Sequence, residues 1–183
     1  MVLIGATPKS RNIEQHDIFF GIAHNMAELI PAMTDFWPEA KGKIHVDAWR
    51  EVKHVNGYKL GISSKAHSTG APETIDNTKL YFLNLGGYKP GEFEEYHYKM
   101  VLAAPDKATA MKISKQTAFF KHMGYKGATA HIDDKYGIDI DDMALVKDIL
   151  TKHDREKYRI TLTPTSSVVE DELHIGYFKL DKL

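Results

Sequence analysis

Glu14 and His16 stand two residues apart, and so do His45 and Asp47. In a β-strand, residues i and i+2 point to the same face. Each pair therefore offers one imidazole and one carboxylate on one side of a sheet. Glu95 with His97, and His131 with Asp133, repeat the two spacings in the second half of the chain. If the strands that carry a Glu-x-His and a His-x-Asp are neighbours, two imidazoles and one or two carboxylates converge. That set suits zinc, iron or manganese, with His16, His45 and Asp47 as ligands in one half and His97, His131 and Asp133 in the other. Glu14, His16, Glu95 and His97 are also the candidates for holding a small molecule, and without a metal the same groups form an acid–base pair. A structural expectation competes with these. His16 and His97 directly precede apolar runs, where a buried histidine with satisfied hydrogen bonds fits equally well.

Other chemistry has less support. Asp133, Asp134, Asp139, Asp141 and Asp142 could offer oxygens to calcium, but the spacing lacks the closing Glu of an EF-hand and misplaces its glycine. Capping of a helix N-terminus explains the run as well. Gly5-Ala6 and Gly86-Gly87 are expected at strand ends, as tight turns whose amides can approach a phosphate. No P-loop or dinucleotide fingerprint follows them. The chain has no cysteine, which excludes thiolate catalysis, disulfides and Cys-based zinc sites. There is no Gly-x-Ser-x-Gly motif, and Ser63, Ser64 and His67 fall in a polar loop. Tyr58, Tyr81, Tyr88, Tyr96 and Tyr98 fit a sheet surface or a pocket lining.

The elements that must position these residues follow from the patterning. Val2–Ala6 is an apolar strand followed by a polar loop with Pro8, and the run Asp17–Ala23 is a second strand. Asn25 opens a helix with Glu28 as its capping-box partner. Pro31 kinks or splits that helix and Pro38 ends it. Strands are expected at Lys43–Asp47, Gly57–Ser63, Lys79–Leu85, Tyr96–Ala104, Ala128–Ile132, Arg159–Thr163 and Leu173–Leu180. Pro105-Asp106 opens a helix that Gly124 stops, and Asp139–Thr151 reads as a further helix. Ser64–Thr78 is the longest loop signal and the natural linker.

The two halves resemble each other. Sliding Val2–Ala23 by 81 positions lays it over Leu83–Ala104, so that Gly5 meets Gly86, Glu14 meets Glu95, His16 meets His97 and Ala23 meets Ala104. Five extra residues bring His45-Val46-Asp47 over His131-Ile132-Asp133. The order of elements carries more weight than these identities.

With 183 residues, 43% hydrophobic and 27% charged, the chain can bury a core without covalent staples. Its 24 basic and 25 acidic residues lack the cationic excess of a nucleic-acid binder. The most basic segment, Lys99–Lys126, reads as a solvated helix face. No apolar run approaches a membrane span, and Met1–Ala6 lacks the basic start and long apolar core of a signal peptide. A cytoplasmic location is expected.

The stretches Gln15–Ile22, Phe36–Ala40, Lys43–Val52, Tyr81–Gly87 and Glu95–His97 together resemble a bacterial family known as Domain of Unknown Function 1543, over most of residues 1–150. The resemblance implies one or two copies of the domain per chain and carries no activity, substrate or site.

The expectation is an α+β protein of two related β-loop-β-α-β units, residues 1–78 and 79–183. Its sheets are mixed or antiparallel with helices packed on them, and the units can merge through the strand near Leu80–Gly87. Such units leave edge strands that a homodimer would cover. No complete catalytic constellation assembles from local spacing. A binding or assembly module is therefore the first functional expectation. A metal-binding protein or small metal-assisted enzyme using the His/Asp pairs is the alternative.

Overall fold

Strand β1 (Val2–Ala6) alternates as its sequence predicts. Val2, Ile4 and Ala6 are buried in one cluster with Phe19, Met33, Ala40, Ile44 and Val46, and Gly5 lies on the other face. The computed structural model describes residues 1–67, 77–88, 91–116, 131–132, 143–167 and 169–183, and at residues 67, 88, 131 and 132 its backbone alone. Two compact units divide the chain. One is Met1–His54 with Leu150–Tyr158 and Val168–Leu183, and the other is Val55–Ile149 with Arg159–Ser167. Both are discontinuous in sequence, whereas the sequence reading divides the chain after residue 78.

The first unit is built on β1, β2 (Gln15–Phe19) and β3 (His45–Trp49). β1 is antiparallel to both of the others. β2 starts two residues earlier than the apolar run suggests and stops at Phe19, so His16 lies inside the strand. A 3₁₀ turn, Met26–Leu29, precedes helix α1 (Ile30–Phe36). Asn25 caps the turn by accepting from the Glu28 amide at 3.1 Å, and Glu28 reaches back to the His24 amide at 3.2 Å. Pro31 splits the expected helix and sits in the first turn of α1, where its missing N–H is no loss. α1 lays Met33, fully buried, on the apolar face of β1. Complete burial of such a side chain contributes about 1.5–3 kcal/mol.

The short strand β4 (His54–Val55) was not expected from the sequence, while β5 (Tyr58–Ser64), β6 (Lys79–Tyr88) and β7 (Glu95–Ala104) form where strands were expected. Helix α2 (Lys107–Ser114) follows, with Asp106 as its cap. It ends at Ser114 with Lys115 as its C-cap, short of the stop expected at Gly124, and residues 117–124 lie outside the described residues. β6 pairs antiparallel with β7, with β8 (His131–Ile132) and with β9 (Met143–Leu145). Residues 143–145 are thus a strand, not the helix expected over Asp139–Thr151, and helix begins at Val146. Pairing with the buried strand β6 decides the conformation there over the helical spacing of the apolar residues. Strand β10 (Tyr158–Pro164) forms a three-stranded sheet with β5 and β4.

Strand β11 (His174–Lys179) returns to the first unit and pairs antiparallel with β3. The first sheet therefore runs β11-β3-β1-β2. The sheets and helices together make an α+β protein.

Candidate metal centre

One row across three strands brings the chemistry together. Gly5 in β1 faces His16 of β2 on one side and His45 of β3 on the other. Directly opposed residues share a sheet face, so both imidazoles stand on the face opposite the Val2–Ile4–Ala6 core. Gly5 is the floor between them. A Cβ at this position would come within 2.5 Å of His45 Nε2 and 2.6 Å of Asp47 Oδ2. Gly5 is therefore a strand residue that keeps the site open, and not the tight turn that its sequence context suggests. Gly86 and Gly87 likewise lie inside β6.

Asp47 reaches the site through a bulge. Between Leu3 and Ile4 the partner on β3 jumps from Ala48 to Val46, leaving Asp47 as the extra residue. The register of β11 on β3 shifts at the same point. A bulge bends its strand and re-aims the side chain it carries. Glu14 stands just before β2 and reaches in from the edge.

The resulting distances are short and mutual. Glu14 places Oε1 at 3.1 Å from His45 Nε2 and Oε2 at 3.7 Å from His16 Nε2. Asp47 places Oδ2 at 3.2 Å from His16 Nε2 and Oδ1 at 3.3 Å from His45 Nε2. Donor atoms of Glu14, His16 and His45 all lie within 4.8 Å of one another. Asp47 flanks this trio, with one oxygen toward each imidazole. Donors bound at about 2.0–2.1 Å around a tetrahedral ion sit roughly 3.3–3.4 Å apart. The observed separations bracket that value.

Proximity here is not hydrogen bonding. His45 Nε2 and Asp47 Oδ2 are both buried and have no hydrogen-bond partner among the described residues, although charged or polar atoms stand 3.1–3.3 Å away. These atoms cluster closely without pairing in hydrogen-bond geometry. His45 is held there by its burial and by the Tyr177 ring stacked on it at 4.3 Å between centroids. His45 is the buried histidine of the pair, with 8% of its side chain exposed against 41% for His16. The expectation of a buried His16 is not met, and the buried imidazole is that of His45.

The other predicted positions divide. His97 lies in β7 opposite Gly86, and its Nδ1 is 2.9 Å from the Asn84 amide nitrogen. Glu95 opens the same strand. His131 is described as backbone in β8, opposite Gly86 on the other side. Asp133 and the rest of the acidic run through Asp142 lie outside the described residues. The sequence reading missed the gap above Gly5 and the Tyr177 stack. A mid-strand glycine facing two histidines is a signal for the first. Nothing local announces the second, since Tyr177 is more than a hundred residues from His45 in sequence.

Comparison with known proteins adds a family segment and a fold. Residues 11–62 match the Domain of Unknown Function (DUF1543), a span that contains Glu14, His16, His45 and Asp47. The resembling stretches at Tyr81–Gly87 and Glu95–His97 lie outside that match. No curated protein matches the chain. Among solved structures it is similar to the crystal structure of a protein Il1583 from Idiomarina loihiensis, with 22% identity and a TM-score of 0.60, over 98% of this chain and 94% of that one. At that identity the likeness concerns the fold. Among the described residues no helix is long and apolar enough to cross a membrane.

Proposed function

We propose that the DUF1543 segment of this chain is a divalent-metal-binding domain, with His16, His45 and Glu14 as ligands to an ion of the zinc class and Asp47 as the flanking carboxylate. The observation that carries this reading is the buried, unpartnered His45 Nε2, which faces Glu14, His16 and Asp47 at the spacing of metal donors. A buried polar group without a partner costs about 1–3 kcal/mol. A bound cation removes that cost for His45 and Asp47 together, and it draws two carboxylates into one place where they would otherwise repel. Two imidazoles with carboxylate oxygens are a donor set that zinc, iron and manganese accept. The same arrangement is less suited to an assembly surface, where side chains converging on a cleft contribute little contact.

Access also fits. His16 and Glu14 are 41% and 44% exposed, so the ion would sit at the sheet surface with its outer side open to solvent. A metal held in that way can acidify a bound water or accept an anionic ligand. Asp47 stands 3.2 and 3.3 Å from the two Nε2 atoms and supplies negative charge beside the ion.

The test is calorimetric titration of the full chain, purified without an affinity tag, with zinc chloride. His45→Ala is expected to remove one equivalent of zinc. His24→Ala, at an exposed histidine outside the site, is expected to remove none. Absence of zinc binding to the wild type, or an unchanged stoichiometry in His45→Ala, overturns the reading.

A further inference from the structure

We infer that the metal site takes an organic monoanion, with a carboxylate head on the ion and a short apolar body along the residue row beside it. The inference rests on the metal reading of Glu14, His16 and His45 and adds the class of ligand. Its evidence is the register of the sheet β11-β3-β1-β2. Lys179↔His45, His45↔Gly5 and Gly5↔His16 make one row across the sheet. Ile175↔Ala48, Ala48↔Leu3 and Leu3↔Ile18 make another. Directly opposed residues share a sheet face, and so do Leu3 and Gly5, two apart on β1. Both rows therefore lie on the face that carries the imidazoles, about 7 Å apart along β1.

The two rows differ in kind. One carries Lys179 and two histidines around Gly5, and the other is aliphatic from end to end. The hydrophobic core does not account for the aliphatic row. Val2, Ile4, Phe19, Val46 and Phe178 pack together on the opposite face, and Leu3, Ile18, Ala48 and Ile175 are not part of that cluster. Ile175 is 77% exposed, and Tyr177, whose ring stacks on His45, is 64% exposed. Leu3, Ile18 and Ala48 are half-buried. The outward face of an antiparallel sheet is ordinarily polar. A row of aliphatic side chains beside a metal site is the kind of surface that a ligand's apolar part covers.

Charge selects the head. Two neutral imidazoles, the carboxylates of Glu14 and Asp47 and a divalent ion balance one another. Lys179, exposed at the end of the metal row, adds one positive charge. A monoanion neutralises it, and its carboxylate can bind the ion from the side on which Glu14 and His16 are exposed. A chain of two or three carbons ending in a ring then spans the roughly 7 Å to the aliphatic row.

The experiment is calorimetric titration of the tag-free, zinc-loaded full chain with acetate and with 3-phenylpropanoate. The aromatic acid is expected to bind at least about tenfold more tightly, the effect of covering part of a ring. Ile175→Ser, at an exposed position, and Ile18→Ser are each expected to reduce that ratio about threefold while zinc affinity is kept. Lys179→Gln is expected to weaken both carboxylates alike. Circular dichroism shows that each variant keeps its fold. Equal affinities for the two acids, binding of neither, or a ratio unchanged in both serine variants overturns the ligand class and leaves the zinc site standing. So does a dimer in sedimentation that Ile175→Ser dissociates, because a second copy then covers the row. No zinc on the wild type overturns the metal site itself.

Discussion

The strands flanking β1 and those flanking β6 can be compared. In the first unit β3 follows β1 with a single irregularity, and the bulged residue is Asp47. In the second, the strand opposite β6 comes in two pieces. β8 pairs with Leu85 and Gly86, β9 pairs with Tyr81 to Leu83, and residues 133–142 intervene. The interruption falls at the same place in the ladder, beside the row of the glycine and the two histidines. One unit spends one extra residue there, an aspartate that reaches the imidazoles. Register is tightly specified where one face is buried, and irregularity is tolerated where a side chain must be re-aimed. In both sheets the apolar face is packed into a core and holds the ladder, and the irregularity lies in a strand to one side of the central one.

The largest expected effects test the shared part. Ile4 in β1 and Leu85 in β6 both lie in the central strand of their sheets, and each is fully buried. Ile4→Ala and Leu85→Ala should each destabilise the chain by about 2–5 kcal/mol, read as a shift in the denaturant midpoint. A much smaller effect at either position would show that the two ladders are not packed alike.

Gly5→Ala comes next. The new Cβ would meet His45 Nε2, so the imidazole must move and zinc affinity should fall on the order of 10–100-fold, as for a change in the support of a ligand. Asp47→Asn keeps the bulge but removes the charge beside both imidazoles. Its expected loss is on the order of tenfold, measured by competition with a chelator. An unchanged affinity would make Asp47 a bystander. Because protons compete for the same nitrogens and oxygens, zinc affinity in all these proteins should fall as pH is lowered.

Much of this arrangement was legible in the residue order. The i, i+2 spacing of Glu14 with His16 and of His45 with Asp47 was enough to bring these four residues forward together. The capping box at Asn25 and Glu28 formed as the sequence suggests, around a 3₁₀ turn. What was not legible depended on pairing between distant segments. The bulge at Asp47 exists only once β3 lies against β1. β9 is a strand because β6 offers it hydrogen bonds, against a helical spacing of Met143, Val146 and Leu150. Gly5 reads as a turn until two neighbours place histidines beside it. Strand β11 closes on β3 from the far end of the chain and brings the Tyr177 ring onto His45, a contact no local pattern encodes.

The smallest expected effect separates the two helix caps. Asn25→Ala should cost about 1 kcal/mol, independent of pH. Asp106 is a carboxylate, and the hydrogen bond from the Thr109 amide holds its carboxyl below the ordinary range. A folded pKa below the unfolded one means that its contribution is complete above the unfolded value and disappears as pH falls through the folded one. The protection of the Lys107–Ser114 amides, taken relative to their intrinsic exchange rates at each pH, should therefore fall in acid in the wild type and lose that dependence in Asp106→Asn. An equal response of both helices to acid would contradict the assignment of the cap.

The central claim is a metal held above Gly5, and anomalous diffraction at the zinc edge tests it most directly, on crystals of the full chain grown with zinc. The account predicts a peak at about 2.0–2.2 Å from Nε2 of His16, Nε2 of His45 and a carboxylate oxygen of Glu14. Full zinc occupancy elsewhere on the chain with none at this point, or His45 turned away from it to a protein partner, would contradict the account.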